Sequence, residues 1–340
     1  MEFRIWSSPH LPVADSVSAM MRLVLLALLP GTACFFWLFG WGVLINIGIA
    51  SLTALVAEAV MLLLRRRPVG TALLDGSALV AGALLALALP PLAPWWIPVI
   101  GSLFAIVIAK QLYGGLGYNP FNPAMAGYVV LLISFPLEMT LWPPAGDRPD
   151  VATTLALIFT GSLPGGVSID AVTMATPMDA VRTRLGLGET ISGMQDGSLF
   201  GLLGGAGWEW INLGFLAGGL LLLKLRVIQW RIPVSMLAGL ALTALLFHLI
   251  DPETYASPQF HLFSGAAMLG AFFIATDPVS ASTTPLGRLC FGFGIGVLTW
   301  VIRTWGGYPD GVAFAVLLMN LAAPTIDFYT RPKIFGEQDR

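Results

Sequence analysis

The chain has 340 residues, 56% of them hydrophobic and only 11% charged, with a formal net charge of −2. A soluble domain carries about 25% charge, so a soluble enzyme is excluded, and without a basic run nucleic acid is excluded as a partner. Cys34 and Cys290 fall in apolar stretches, and His10, His248 and His261 share no ligand spacing, so neither a disulfide framework nor a metal centre is expected.

Residues 1–21 are mixed and polar, with Glu2, Arg4, His10 and Asp15, and lack the charged-then-apolar layout of a cleavable signal. Ten apolar runs follow, at 22–39, 42–63, 75–90, 94–111, 122–138, 199–223, 232–250, 263–279, 288–304 and 310–327. Each has about 16 to 25 residues and suits a hydrocarbon slab of ~30 Å. Helices are expected, because a lipid-exposed backbone must satisfy its own hydrogen bonds. The third, eighth and tenth runs are interrupted or flanked by Pro, Gly and Asp, and the third reads equally as two shorter pieces. The interval 139–198 is polar and acidic, with Asp147, Asp150, Asp170, Asp179, Glu189 and Asp196.

Positive charge gives an orientation. With both termini in the cytoplasm, 13 of the 17 Lys and Arg residues fall inside, leaving Arg148, Arg182, Arg184 and Arg303 outside. Trp37, Trp41, Trp95, Trp96, Trp142, Trp208, Trp210 and Trp305 then lie near the outer face, where indole suits the interface. The expected layout is one polytopic domain over 1–340. It comprises a cytoplasmic N-terminus (1–21), a first helical repeat (22–138), an outer loop (139–198), a second repeat (199–327) and a cytoplasmic tail (328–340).

The halves echo each other. Gly82-Ala83-Leu84-Leu85-Ala86 before Pro90 matches Gly270-Ala271-Phe272-Phe273-Ile274 before Pro278, and Tyr113-Gly114-Gly115 resembles Trp305-Gly306-Gly307. Five spans per half is odd, so the halves insert in opposite directions. The fold expected is an all-α integral membrane protein of about ten transmembrane helices in two inverted five-helix repeats.

Three segments carry chemistry. Lys110 through Gly127 holds bunched glycines and two Asn-Pro pairs, Asn119-Pro120 and Asn122-Pro123. It reads either as a tight turn with Asn caps or as a patch whose amides bind a ligand's polar edge. Asp170-Ala171-Val172-Thr173-Met174-Ala175-Thr176-Pro177 reads as a helix start, with Thr173 or Thr176 capping and Pro177 in the first turn, or as an accessible threonine hydroxyl on an outer loop. Asp277, beside Ser280, Ser282, Thr283 and Thr284, is a candidate for contact with an ion or a flavin. Asp75 and Asp310 read as interfacial caps, and Glu58 as a carboxylate that must be paired, protonated, hydrated or at a helix end.

The whole chain resembles the family of D subunits of Rnf electron-transport complexes, ion-translocating oxidoreductases related to the B subunit of the sodium-pumping NADH:quinone oxidoreductase. The residues that carry the match are Ser7-Ser8-Pro9-His10, Leu89 to Trp96, Lys110 to Ala126, Met174 to Asp179, Thr276 to Val279 and Gly306 to Phe314. In such proteins a flavin transferase esterifies the last threonine of Ser/Thr-Gly-Ala-Thr with FMN, and here that residue is Thr176, with Met174 in the glycine's place. The resemblance implies covalent FMN on Thr176 and noncovalent riboflavin in the helix bundle. It implies a bacterial inner-membrane translocase subunit with its flavin loop in the periplasm. Its partners are the other Rnf subunits, among them a second FMN-carrying subunit and iron–sulfur subunits, which relay electrons between ferredoxin and NAD while Na⁺ or H⁺ moves. The sequence holds no cysteine cluster and no nucleotide fingerprint, so the chain completes no such reaction alone. Two other classes remain open from the residues: a small-solute channel or transporter, suggested by the inverted halves and the single Asn122-Pro123-Ala124, and a passive assembly subunit.

Overall fold

A computed structural model describes residues 17–161, 173–194, 199–308 and 310–332. Among these, regular structure is helical, apart from two isolated bridges. In chain order the helices of the first part are α1 (Val17–Phe39), α2 (Trp41–Leu64), α3 (Val69–Leu73), α4 (Ser77–Ala88), α5 (Trp96–Leu103) and α6 (Pro123–Ser134). Then come α7 (Val151–Thr160), α8 (Pro177–Gly186) and α9 (Ile191–Met194). The last part holds α10 (Trp208–Lys224), α11 (Arg231–Ile250), α12 (Pro258–Leu262), α13 (Ala267–Leu269), α14 (Pro285–Trp305) and α15 (Val312–Thr330). Two of these helices pass directly into π-helical turns: α5 into Phe104–Gln111 and α13 into Gly270–Ile274.

Five helices, α1, α2, α11, α14 and α15, are long and apolar enough to cross a membrane. They face the wrong way for a soluble protein. On α2 the buried face carries Asn46, Ser51 and Glu58, while Leu52, Val56, Val60 and Leu63 point outward. Apolar side chains outside and polar ones inside is the pattern of a helix solvated by lipid.

The other expected spans are shorter than the apolar runs suggested. The run 263–279 is helical only over 267–274, and 199–223 only from Trp208. α4 and α6 have 12 residues each, which at ~1.5 Å per residue covers little more than half the slab. The breaks have visible causes. Pro90 and Pro91 stop α4, and Asn46 donates from Nδ2 to the Pro90 carbonyl at 2.9 Å. Gly265, at φ +59°, precedes α13. There Asn212 donates to the Gly265 carbonyl at 3.0 Å and accepts from the Met268 N–H at 3.1 Å. Buried asparagines on neighbouring helices thus satisfy the backbone groups that broken helices leave open.

α1 packs on α10, α2 on α4 and α5, α11 on α14, and α15 on α14 and α6. The α1–α10 crossing is glycine-to-backbone: a Cβ at Gly218 would lie 1.8 Å from the Ala27 carbonyl oxygen, and one at Gly214 would lie 2.8 Å from the Gly31 Cα. The interval 139–198, expected as an outer loop, contains α7, α8 and α9.

Candidate functional site

Asn122 is the hub of the interior. The loop before it turns through Gly114, Gly115 and Gly117 at φ +133°, +101° and +92°, values that only glycine adopts freely. Asn122 then caps α6, its Oδ1 accepting from the Met125 N–H at 3.2 Å. Its Nδ2 donates to the Ile274 carbonyl at 3.2 Å, at the end of the second π turn, and its N–H donates to Asn320 Oδ1 on α15 at 3.1 Å. Asn320 in turn donates to the Ser280 carbonyl at 3.1 Å. One amide therefore ties the start of α6 to both a broken helix and a long helix of the other half.

Beside this hub lies an inner cavity lined by Ser77, Lys110, Asn119, Asn122, Thr276 and Asp277 among apolar side chains. The three polar residues expected to converge, Asn119, Asn122 and Asp277, do share this wall. Asn119 donates to the Phe121 carbonyl at 3.0 Å, but its Oδ1 is buried with no protein partner. An orphan acceptor on a cavity wall is costly unless a ligand or water meets it. Asp277 accepts from Ser280 Oγ at 2.7 Å and from the Val279 N–H at 3.4 Å. The rest of its hydroxyl cluster is claimed elsewhere: Ser282, Thr283 and Thr284 all donate to Asp327 on α15.

The sequence also left Glu58 without a partner. In the structure it accepts from Lys110 Nζ at 2.6 Å and from Gln111 Nε2 at 2.8 Å, and both charged residues are 2% exposed. Their separation by 52 positions hid the pair. Consecutive residues diverge by ~100° on an α-helix, and the wider π turn that carries Lys110 and Gln111 lets both reach one oxygen.

Thr176 is the N-cap of α8, its Oγ1 accepting from the Asp179 N–H at 3.3 Å, with Pro177 at the first helical position. Thr176 is half-buried and borders two cavities. Both are walled by Trp142 and Trp208, whose rings lie 5.0 Å apart. Met174 donates its N–H to the Trp142 carbonyl at 2.8 Å, which fixes the approach to the threonine. Thr173 lines neither cavity, and Asp170 lies outside the described residues. One of the two cavities reaches Met125, Tyr128 and Ile274. The inner cavity touches Ala124 and Phe273, the preceding residues on the same two segments. The two spaces therefore meet neighbouring residues of the same two segments.

Asp310, expected as a simple cap, does more. It accepts from Arg303 Nε at 3.0 Å and Nη2 at 3.2 Å, and from the Ala266 N–H at 2.7 Å and the Val312 N–H at 3.2 Å. Arg303 also donates to the carbonyls of His261 at 2.6 Å and Ser264 at 3.2 Å. Burial first, and the neighbouring Arg303 second, push the His261 imidazole down to about 3 from 6.5. The folded protein keeps His261 neutral, whereas the unfolded chain binds a proton below 6.5. Stability is therefore intact above that pH and falls as pH drops towards 3, by up to ~1.4 kcal/mol per pH unit. Thermal unfolding in nanodiscs at about pH 7.5 and 5.5 should show a drop that His261→Gln reduces. An equal drop in the variant assigns the acid sensitivity to other groups.

Residues 4–336 match the model of the NQR2, RnfD, RnfE family. The chain is also 55% identical over 350 residues, covering 99% of each sequence, to the D subunit of the ion-translocating oxidoreductase complex of Escherichia fergusonii. The D subunit of the same complex from Salmonella typhimurium matches with the same identity and coverage.

Proposed function

The chain belongs to the NQR2, RnfD, RnfE family, and from that membership we propose that it is the membrane subunit of an ion-translocating oxidoreductase complex that carries electrons on FMN esterified to Thr176. The observation that carries this reading is the position of one hydroxyl. Thr176 is partly exposed, opens helix α8 and borders two indole-walled cavities. The free N–H groups and dipole of a helix N-terminus favour a phosphate there. Indole faces suit a flat conjugated ring. When bound, an isoalloxazine supplies reversible one- and two-electron chemistry. The chain's own residues anchor and shield it: Thr176 holds the tether, Trp142 and Trp208 form the walls, and the Arg303–Asp310 clamp fixes the backbone behind. The intact mass of the purified chain tests the reading. An increment of FMN less one water supports it, and an unmodified chain overturns it.

The inner cavity is the proposed site of a noncovalent riboflavin. Amide edges at Asn119 and Asn122 match a ring's carbonyl and imide groups. Electrons would cross from the outer cavity past Ala124–Met125 and Phe273–Ile274, the segments that the two cavities share. We read the complex as passing electrons between ferredoxin and NAD through iron–sulfur and FMN-carrying partner subunits, with Na⁺ or H⁺ as the moved ion. In this reading the two halves are inverted repeats. The pairing of α1 with α10 and of α6 with α15 supports it, since first meets first and last meets last, as about a pseudo-two-fold axis.

The same reading places the protein in the bacterial inner membrane, with both termini cytoplasmic and 139–198 periplasmic. Single cysteines at Gly161 and Glu337, in a background lacking Cys34 and Cys290, test it. An impermeant thiol reagent added to right-side-out cells is expected to label Gly161→Cys and spare Glu337→Cys. The reverse pattern inverts the topology.

A further inference from the structure

The Glu58–Lys110 pair has no assigned role in holding either proposed flavin, yet it puts two charged groups, each 2% exposed, in the interior. Charged groups at membrane depth are retained where they face a cavity and serve a pathway. Its surroundings fit that description. Lys110 lines the inner cavity. Glu58 and Gln111 line a separate vestibule, with Asp75, Arg67 and Tyr118. The vestibule lies beside the basic turn Arg65 to Arg67, where Arg65 donates to the Gln111 carbonyl at 2.7 Å and Arg67 to the Gly114 carbonyl at 3.0 Å. Leu116 borders both spaces, and the ion pair spans the partition with Lys110 on the cavity side and Glu58 on the vestibule side.

A hydrogen-bonded chain bypasses this partition. Lys110 Nζ donates to Ser77 Oγ at 2.6 Å, and Ser77 Oγ donates to Asp75 Oδ1 at 2.5 Å. Lys110 is on the cavity wall, Ser77 is 7% exposed at the first position of α4, and Asp75 is half-exposed on the vestibule wall. Glu58 holds the ammonium in place through Oε1, while its Oε2 is buried and unpartnered. The remaining charges facing Lys110 are Asp277 across the cavity and Arg65 through Gln111.

We propose that Asp75, Ser77 and Lys110 form a proton relay between the vestibule and the inner cavity, with Glu58 as the fixed counter-charge. In the orientation observed the donors run outward. Lys110 passes a proton to Ser77 Oγ as the Ser77 hydroxyl proton passes to Asp75, which releases it to vestibule water; the resulting amine takes its replacement from a donor in the cavity. For inward transfer Asp75 is first protonated from the vestibule and the Ser77 hydroxyl rotates. Lys110 gives a proton to the cavity and is reloaded from Ser77, which takes the Asp75 proton. No electron moves in the relay, so it stands whether or not the cavity holds a flavin.

The sequence offers a clean probe, because Lys110, Lys224 and Lys333 are its only lysines. Full-length protein labelled with ¹⁵N at lysine Nζ gives three resonances, and Lys110→Arg identifies one. Exchange of the Lys110 ammonium hydrogens with water is the readout. Wild-type protein in nanodiscs is expected to exchange, Ser77→Ala and Asp75→Asn to slow that exchange several-fold, and Ser77→Thr to restore it. A Lys110 signal broadened away in the wild type and recovered in Ser77→Ala counts equally in favour. Exchange that is unaffected by Ser77→Ala, or a wild-type Lys110 as protected as the variant, overturns the relay and leaves the pair a structural strut. Flavin content measured on the same samples keeps the outcome for the relay separate from that for the cavity.

Discussion

Thr176→Val is expected to remove the covalent flavin completely. On a denaturing gel under ultraviolet light the variant band should be dark, while the wild type and Thr173→Val fluoresce. Valine keeps the β-branched shape at the cap but has no oxygen to esterify. It also removes the acceptor for the Asp179 N–H, and losing such a cap costs about 1 kcal/mol. That is too little to unfold the bundle, so a dark band in normally abundant protein reports the attachment site. A fluorescent Thr176→Val band, with FMN mapped to another residue, would falsify the assignment.

Gly218→Val is expected to be the most damaging single substitution away from any site. The new Cβ would sit 1.8 Å from the Ala27 carbonyl oxygen and 3.2 Å from the Phe273 ring. The obstacle is backbone, which has no rotamer to yield. Overpacking of an ordinary core costs about 1–3 kcal/mol, and a fixed main-chain contact puts this change at or beyond the upper end. Gly48→Val on α2 is the control, since nothing lies within 4 Å of its Cβ position. Membrane abundance and melting temperature should fall sharply for the first and little for the second. Equal behaviour would mean that α1 and α10 are not in contact in the folded protein.

What the sequence made legible followed from helix breaks. Asn119, Asn122 and Asp277 each stand just after one, and broken helices inside a bundle converge where their open ends can be satisfied, so their meeting on one cavity was readable. Thr176 as a cap before Pro177 was readable for the same local reason. Helix lengths were not. An apolar run records that a segment avoids water without saying whether it is helical throughout, and 263–279 is apolar for 17 positions but helical for eight. Nor was the pairing of Glu58 with Lys110, which depends on a π turn that leaves no mark in hydrophobic periodicity. The role of Trp142 and Trp208 was not readable either: tryptophan near an apolar boundary suggests a membrane interface, and only the structure shows that Trp208 is 9% exposed and that both rings wall the cavities beside Thr176. Arg303, counted as an outer-face charge, is buried and clamps Asp310.

The glycine crossing of α1 and α10 also bears on how the molecule can move. Helices that meet through side chains can slide, because rotamers swap as one ridge passes another. Main chain seated on main chain, as at Gly214 and Gly218, has no such layer to shear. This line acts as a fulcrum. Relative motion of α1 and α10 is thereby confined to rocking about it, while the start of α6 is tied across by the bonds of Asn122 to Asn320 and to the Ile274 carbonyl. Val24 and Leu222 beside the seam and Asn122 at the ties all line the inner cavity, so rocking about the seam is expected to change the shape of that cavity first.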